Sequence, residues 1–131
     1  MKDINNYFIH LTNNAIQKNS SNYGLFENGN QLPFKDLSKF IGVEETDKIW
    51  QKMKSSTLMV FSSVKKKINL NNRKFCFELF GLDYIIDEEL KVWLIEVNEN
   101  PCLECNSPLL SALIPRMVHD CFRLTVDQIF S

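Results

Sequence analysis

The chain has 131 residues, 44% of them hydrophobic and 24% charged, with 15 Lys or Arg against 16 Asp or Glu for a net charge of −1. That suits one packed domain or a piece of a larger one, and the balance argues against a general nucleic-acid coat or a membrane-surface protein. No apolar run exceeds four residues, the N-terminus has no apolar leader, and four cysteines are too few for a disulfide scaffold, so they read as reduced thiols in an intracellular protein.

Residues 7–11 (YFIHL) read as a short strand that ends in the polar Thr12-Asn13-Asn14. Residues 18–32 are rich in Asn, Ser and Gly and read as a long loop. Pro33 is placed to open a short helix through Phe40, with Gly42 ending it. Ile49, Met53, Thr57, Val60, Val64 and Ile68 recur at helical spacing, widened by Trp50 and Phe61, and Asn69 begins the break.

Residues 74–87 and 91–98 are β-rich and flank Glu88-Glu89-Leu90, which predicts an antiparallel hairpin with a short polar turn. Apolar residues lie on both of its faces, so helices should cover it. Ser107 then caps a helix with Pro108 at its first position, and Leu109 to Ile129 supply an apolar face that Pro115 should kink or split.

Two carboxylates interrupt the apolar hairpin, Asp83 in one strand and Glu96 in the other. Burying two such charges side by side is costly unless a cation joins them. A four-residue turn pairs Asp87 with Val92 and therefore Asp83 with Glu96, with Cβ atoms about 5 Å apart. Asn98 shares the face of Glu96, and its neighbour Gly81 leaves space. The expected result is three hard oxygen ligands of the kind Mg²⁺ takes at about 2.1 Å, with positions left for water and phosphate. A slip of one residue would separate the carboxylates. The alternative is that both are partly exposed edge residues paired with Lys or Arg.

Two further counts bear on a nucleotide or metal site. The four glycines (Gly24, Gly29, Gly42, Gly81) are too scattered for a phosphate-cradling loop, so much of any phosphate grip lies outside these residues. Two histidines exclude a multi-histidine metal site.

Several blocks in order resemble the tubulin–tyrosine ligase-like family. They are His10-Leu11-Thr12-Asn13, Ile16-Gln17-Lys18, Asn22-Tyr23-Gly24 with Glu27 and Gly29-Asn30, Phe77-Glu78-Leu79-Phe80-Gly81-Leu82-Asp83, Trp93-Leu94-Ile95-Glu96-Val97-Asn98, and Asn100-Pro101. The likeness runs from about Phe8 to Pro101 and more loosely beyond. It implies an α/β fold of the α+β kind, the C-terminal part of an ATP-grasp fold, with a hairpin-centred antiparallel sheet covered by helices. It implies use of ATP and Mg²⁺ to activate a carboxylate as an acyl phosphate, and ligation of tyrosine, glutamate or glycine to tubulin, whose tails are acidic.

By that resemblance Asp83, Glu96 and Asn98 match the family's metal-binding positions. Thr12 and Asn13 match a motif beside the nucleotide and the incoming amino acid; a hydroxyl and an amide there can bind phosphate or carboxylate oxygens without adding charge. Without the resemblance, Thr12 and Asn13 read simply as caps of a turn. No side chain is required as a nucleophile, and no catalytic residue is assigned. Full members have hundreds of residues, and the upstream part with its nucleotide-binding lysines does not match here. Residues 1–131 are therefore expected to be a C-terminal portion of the catalytic domain, without ligase activity on their own, in the cytoplasm with microtubules or cilia.

Residues 48–74 carry eight Lys or Arg and no Asp or Glu, against seven positive and sixteen negative charges elsewhere. Such a block, densest at Lys65-Lys66-Lys67, is either a solvated helix face or a steering surface for an acidic partner. The competing function is thus a non-catalytic remnant that binds tubulin or another partner through this helix. A nucleic-acid partner finds no recognised module. Cys102-Leu103-Glu104-Cys105 with His119 and Cys121 is a poor zinc set, because His119 and Cys121 point to different sides of a helix. His10 is expected as a packed strand histidine, and Trp50 and Trp93 as core residues.

Overall fold

The computed structural model describes residues 3–130, and its longest element is a 26-residue helix, α4 (Val43–Ile68). Glu44 and Glu45 in its first turn and Lys65, Lys66 and Lys67 in its last complement the helix dipole. The expected stripe is there, and the helix begins earlier than its first member because Gly42 starts a new helix as soon as it ends the previous one. At φ +88° Gly42 closes α3 (Ser38–Ile41) and opens α4, a backbone state that favours glycine. Ahead of α3, Pro33 leads into a 3-10 turn, Phe34–Leu37. The Phe34 ring lies 5.2 Å from that of Trp50.

The hairpin is β1 (Gly81–Ile86) paired antiparallel with β2 (Val92–Asn98). Residues 74–80 are not a strand, contrary to expectation. β2 ends at the partner of Gly81 and the chain bends at Glu99 and Asn100, so nothing is left for 74–80 to pair with. Asn69 contributes by looping the chain back, its side chain bonding both the N–H and the carbonyl of Arg73 at 2.9 Å. In the turn, Leu90 donates to the Asp87 carbonyl (3.0 Å), Asp87 donates to that of Lys91 (3.1 Å), and Leu90 sits at φ +60°.

Tyr84 ties the hairpin to α4. Its hydroxyl lies 2.8 Å from Ser56 Oγ, 2.9 Å from Thr57 Oγ1 and 3.1 Å from the Met53 carbonyl. Phe80, just before β1, packs on Phe61 with ring centroids 5.1 Å apart. Helix cover is therefore present on the Tyr84 side. On the other side Ile85, Trp93 and Ile95 are exposed.

Three expectations about single residues fail for the same reason, thin packing. Trp50 and Trp93 are 45% and 46% exposed and are not core residues. His10 is exposed, and its Nε2 lies 3.2 Å from the Asp3 carbonyl. Residues 7–11 are not a strand: α1 (Tyr7–His10) is a helix, its first turn capped by the Asn6 side chain, which accepts from the Phe8 N–H. A further turn, α2 (Asn14–Gln17), follows, and Gln17 Nε2 donates back to the carbonyls of Phe8 and Leu11.

α5 (Pro108–Leu124) starts as expected, with Ser107 Oγ accepting from the Leu110 N–H and Pro108 in the first turn. Pro115 does not split it, and Ile129 falls in a separate turn, α6 (Asp127–Phe130). Ser107 also bonds the Gln31 side chain, joining α5 to the N-terminal segment. The accessible surface is 11005 Å². A self-contained protein of 15.3 kDa exposes roughly 7,000 Å². Ile49 and Ile114 are the buried apolar residues among those described.

Candidate metal centre on the hairpin

From the turn, the pairs run Ile86–Val92, Ile85–Trp93 and Tyr84–Leu94, then Asp83–Glu96, Leu82–Val97 and Gly81–Asn98. The expected pairing of Asp87 with Val92 is wrong by one residue. The expected pairing of Asp83 with Glu96 is present, because Ile95 is an extra residue in β2, a β-bulge that takes up the difference. Without the bulge Asp83 would face Ile95, and Glu96 would turn toward the Tyr84 side.

Asn98 meets both carboxylates. Its Nδ2 lies 3.5 Å from Asp83 Oδ2 and 3.4 Å from Glu96 Oε1, at the long limit of hydrogen bonding. An amide carries oxygen and nitrogen on one planar head, so a half-turn of that head brings Oδ1 to the same place. Asp83 and Glu96 are both exposed, so the burial cost expected to call for a cation is absent and that half of the edge alternative is present. Its other half is not, because neither carboxylate pairs with Lys, Arg or His among the described residues. No three His, Cys, Asp or Glu side chains among those residues gather as a metal cage. The hairpin set is two carboxylates and one amide. Mg²⁺ is commonly held by one or two carboxylates with water and phosphate completing its shell, and the exposure of Asp83 and Glu96 leaves room for both.

At the turn end of the same hairpin, Asp87 organises the turn. Its Oδ2 accepts from the Trp93 indole N–H at 2.8 Å, and its Oδ1 from the N–H groups of Lys91 (2.9 Å) and Glu89 (3.1 Å). The Trp93 bond first, then the Lys91 backbone bond, hold the Asp87 carboxyl below the usual carboxylate range. The Lys91 ammonium lies 3.8 Å from the Trp93 ring centroid. Sequence reasoning gave Asp87 no role, although an Asp that opens a turn and is followed by Lys and Trp was a readable signal.

Thr12 and Asn13 are exposed between α1 and α2. Asn13 closes the first turn of α2 through its carbonyl, which accepts from Ile16 and Gln17 at 2.9 Å, while its side chain makes no cap bond. Both side chains are thus uncommitted among the described residues, and no hydrogen bond joins them to Asp83, Glu96 or Asn98. The four cysteines are free thiols, three of them exposed.

Comparison with known proteins gives a consistent result. The description "Tubulin-tyrosine ligase family" matches residues 1–130. The tubulin polyglutamylase ttll-5 of Caenorhabditis elegans is 35% identical over 133 residues, covering 91% of this chain and 18% of the relative. The tubulin glycylase 3D of Tetrahymena thermophila is 33% identical over 132 residues, covering 96% and 13%. The tubulin monoglutamylase TTLL4 of Mus musculus is 31% identical over 137 residues, covering 95% and 12%. The chain therefore spans less than a fifth of the length of these relatives. Over nearly its whole length, it belongs to the tubulin-tyrosine ligase family.

Proposed function

We propose that these residues form the cation-binding part of an ATP- and Mg²⁺-dependent ligase that joins an amino acid to tubulin. The convergence of Asp83, Glu96 and Asn98 from neighbouring strands is the observation that carries this reading. The relatives' names speak for glutamate or glycine as the amino acid, ahead of tyrosine. Residues 1–131 act in this reading as the C-terminal portion of the catalytic domain, in the cytoplasm on microtubules or in cilia.

Asp83 and Glu96 would hold Mg²⁺ by carboxylate oxygens and Asn98 by its amide oxygen. Once bound, Mg²⁺ neutralises charge on phosphate oxygens. Thr12 and Asn13 offer a hydroxyl and an amide to a phosphate or to the substrate carboxylate. The reaction proposed moves the γ-phosphoryl group of ATP to a carboxylate oxygen. An amine then attacks the acyl carbon, the carbon–nitrogen bond forms, and phosphate leaves with the oxygen it received. No protein nucleophile enters. The isolated chain, with a small fraction of its relatives' length, would not perform this reaction.

The test uses the full-length protein and labelled amino acid. Asp83→Asn and Glu96→Gln should each lower incorporation into tubulin by about 100-fold or more, as expected when a charge-stabilising group is lost, with co-sedimentation on microtubules unchanged. Activity within tenfold of wild type in both variants refutes the assignment.

The second reading, a non-catalytic tubulin-binding surface, is favoured by one observation. Of the eight basic residues in 48–74, only Lys48 forms an ion pair among the described residues, with Glu44 and Glu45 at 2.8 Å. Calorimetry separates the readings, since only the ligase requires nucleotide binding that depends on Mg²⁺.

A further inference from the structure

Gly81 faces Asn98 across the hairpin, and its missing side chain is occupied by another residue. A Cβ on Gly81 would lie 2.9 Å from Cβ of Pro101, closer than carbon atoms pack, and 3.9 Å from Cβ of Asn98. Gly81 is not among the residues at positive φ, so its backbone does not call for glycine; the space does. The chain leaves β2 at Asn98, bends at Glu99 and Asn100, and returns Pro101 over the first residue of β1. The proline ring fixes its own φ and restricts Asn100 to extended backbone, so the return path is stiff. One end of Asn98 is thus held by the ladder with Gly81, and the other by a rigid three-residue arm that rests on Gly81.

We propose that Gly81 and Pro101 are positioning residues for the cation site: their contact holds Asn98 where its amide reaches both Asp83 and Glu96. The inference rests on the cation reading above and goes beyond it, because it assigns a role to a residue with no side chain and to one with no ligand atom there. An added methyl at 81 pushes against a ring that cannot rotate away, so the arm lifts and carries Asn98 from the carboxylates.

The test is direct binding of Mn²⁺ alone, as a stand-in for Mg²⁺, to the full-length protein, read from the free Mn²⁺ resonance, with far-ultraviolet dichroism as a check on folding. Gly81→Ala should weaken binding about tenfold, the scale typical of groups that orient metal ligands. Pro101→Gly, which removes the ring without crowding β1, should weaken it similarly and covers the case in which Gly81→Ala does not fold. Asn98→Ala should cost about as much, and adding it to either variant should cost little more, because the same donor is already lost. A purely structural role predicts full additivity, which overturns the proposal. So does wild-type affinity in both Gly81→Ala and Pro101→Gly while Asp83→Asn abolishes binding, an outcome that leaves the cation reading intact. Absence of Mn²⁺ binding in the wild type, or binding indifferent to Asp83→Asn, overturns both.

Discussion

The hairpin with α4 and the segment from residue 3 to 32 are organised in opposite ways. The first is joined across long stretches of sequence, through Tyr84 on Ser56 and Thr57 and through Phe80 on Phe61. The second is held largely by bonds to its own neighbours: Asn6 to Phe8, Gln17 to Phe8 and Leu11, Tyr23 to Asn14 and Gly24 to Asn30. Ile4, Tyr7, Ile9, Leu25 and Phe26 in that segment are exposed. Local hydrogen bonds fix where the backbone goes, but only a second layer buries apolar side chains. The proposed cation ligands stand in the region with several cross-links, and Thr12 and Asn13 in a region tied to the rest of the chain mainly near Gln31, by its bond to Ser107.

Removing the deepest apolar contact should separate the two regions most sharply. Ile49 is 1% exposed, and Ile49→Ala should lower the unfolding free energy of α4 by about 3 kcal/mol. Phe26 is 86% exposed, and Phe26→Ala should change it by less than about 0.5 kcal/mol. Urea unfolding followed by helix dichroism measures both, and equal effects would erase the contrast. A smaller loss, about 1–2 kcal/mol, is expected for Tyr84→Phe, which leaves the ring but takes away the hydroxyl shared by Ser56, Thr57 and Met53. Hydrogen exchange should quicken in β1 and in the middle of α4 together, and leave residues 14–17 unchanged.

Acid should act least, on Asp87 in the hairpin and on Glu44 in the first turn of α4, whose bond to Lys48 also lowers its carboxyl. The folded carboxyl of Asp87 titrates below its unfolded value near 3.9. Its contribution is therefore complete above about pH 4 and disappears as the pH falls through the lower, folded value. Asp87→Ala should remove that acid-sensitive step from the Trp93 signal while the rest of the titration persists.

How much of this was legible in the sequence depends on whether the signal was local. The helix stripe from Ile49 to Ile68, the Ser107-Pro108 start and the Gly42 stop depend on neighbours within a turn, and all are present. The pairing of Asp83 with Glu96 was also readable, although the register argument was one residue off at the turn, where Val92 pairs with Ile86, and missed the bulge at Ile95. Two departures from the plain pattern cancel there, and alternation alone shows neither. Residues 7–11 and 74–80 have strand-like composition but no strand beside them. The first became a helix under the Asn6 cap, and the second stayed irregular. The two tryptophans failed for a related reason: a large apolar ring marks a core only where another layer closes over it.

Trp93 gives the hairpin an optical reporter of its own. The indole is fixed by Asp87 and overlain by Lys91, and it shares the strand and the open face of Glu96. Trp50, the other indole, lies against Phe34 and Lys54 on α4. Replacing Trp50 with phenylalanine would leave one emitter beside the carboxylates, so that cation or nucleotide arrival becomes visible as a change in fluorescence without any added dye.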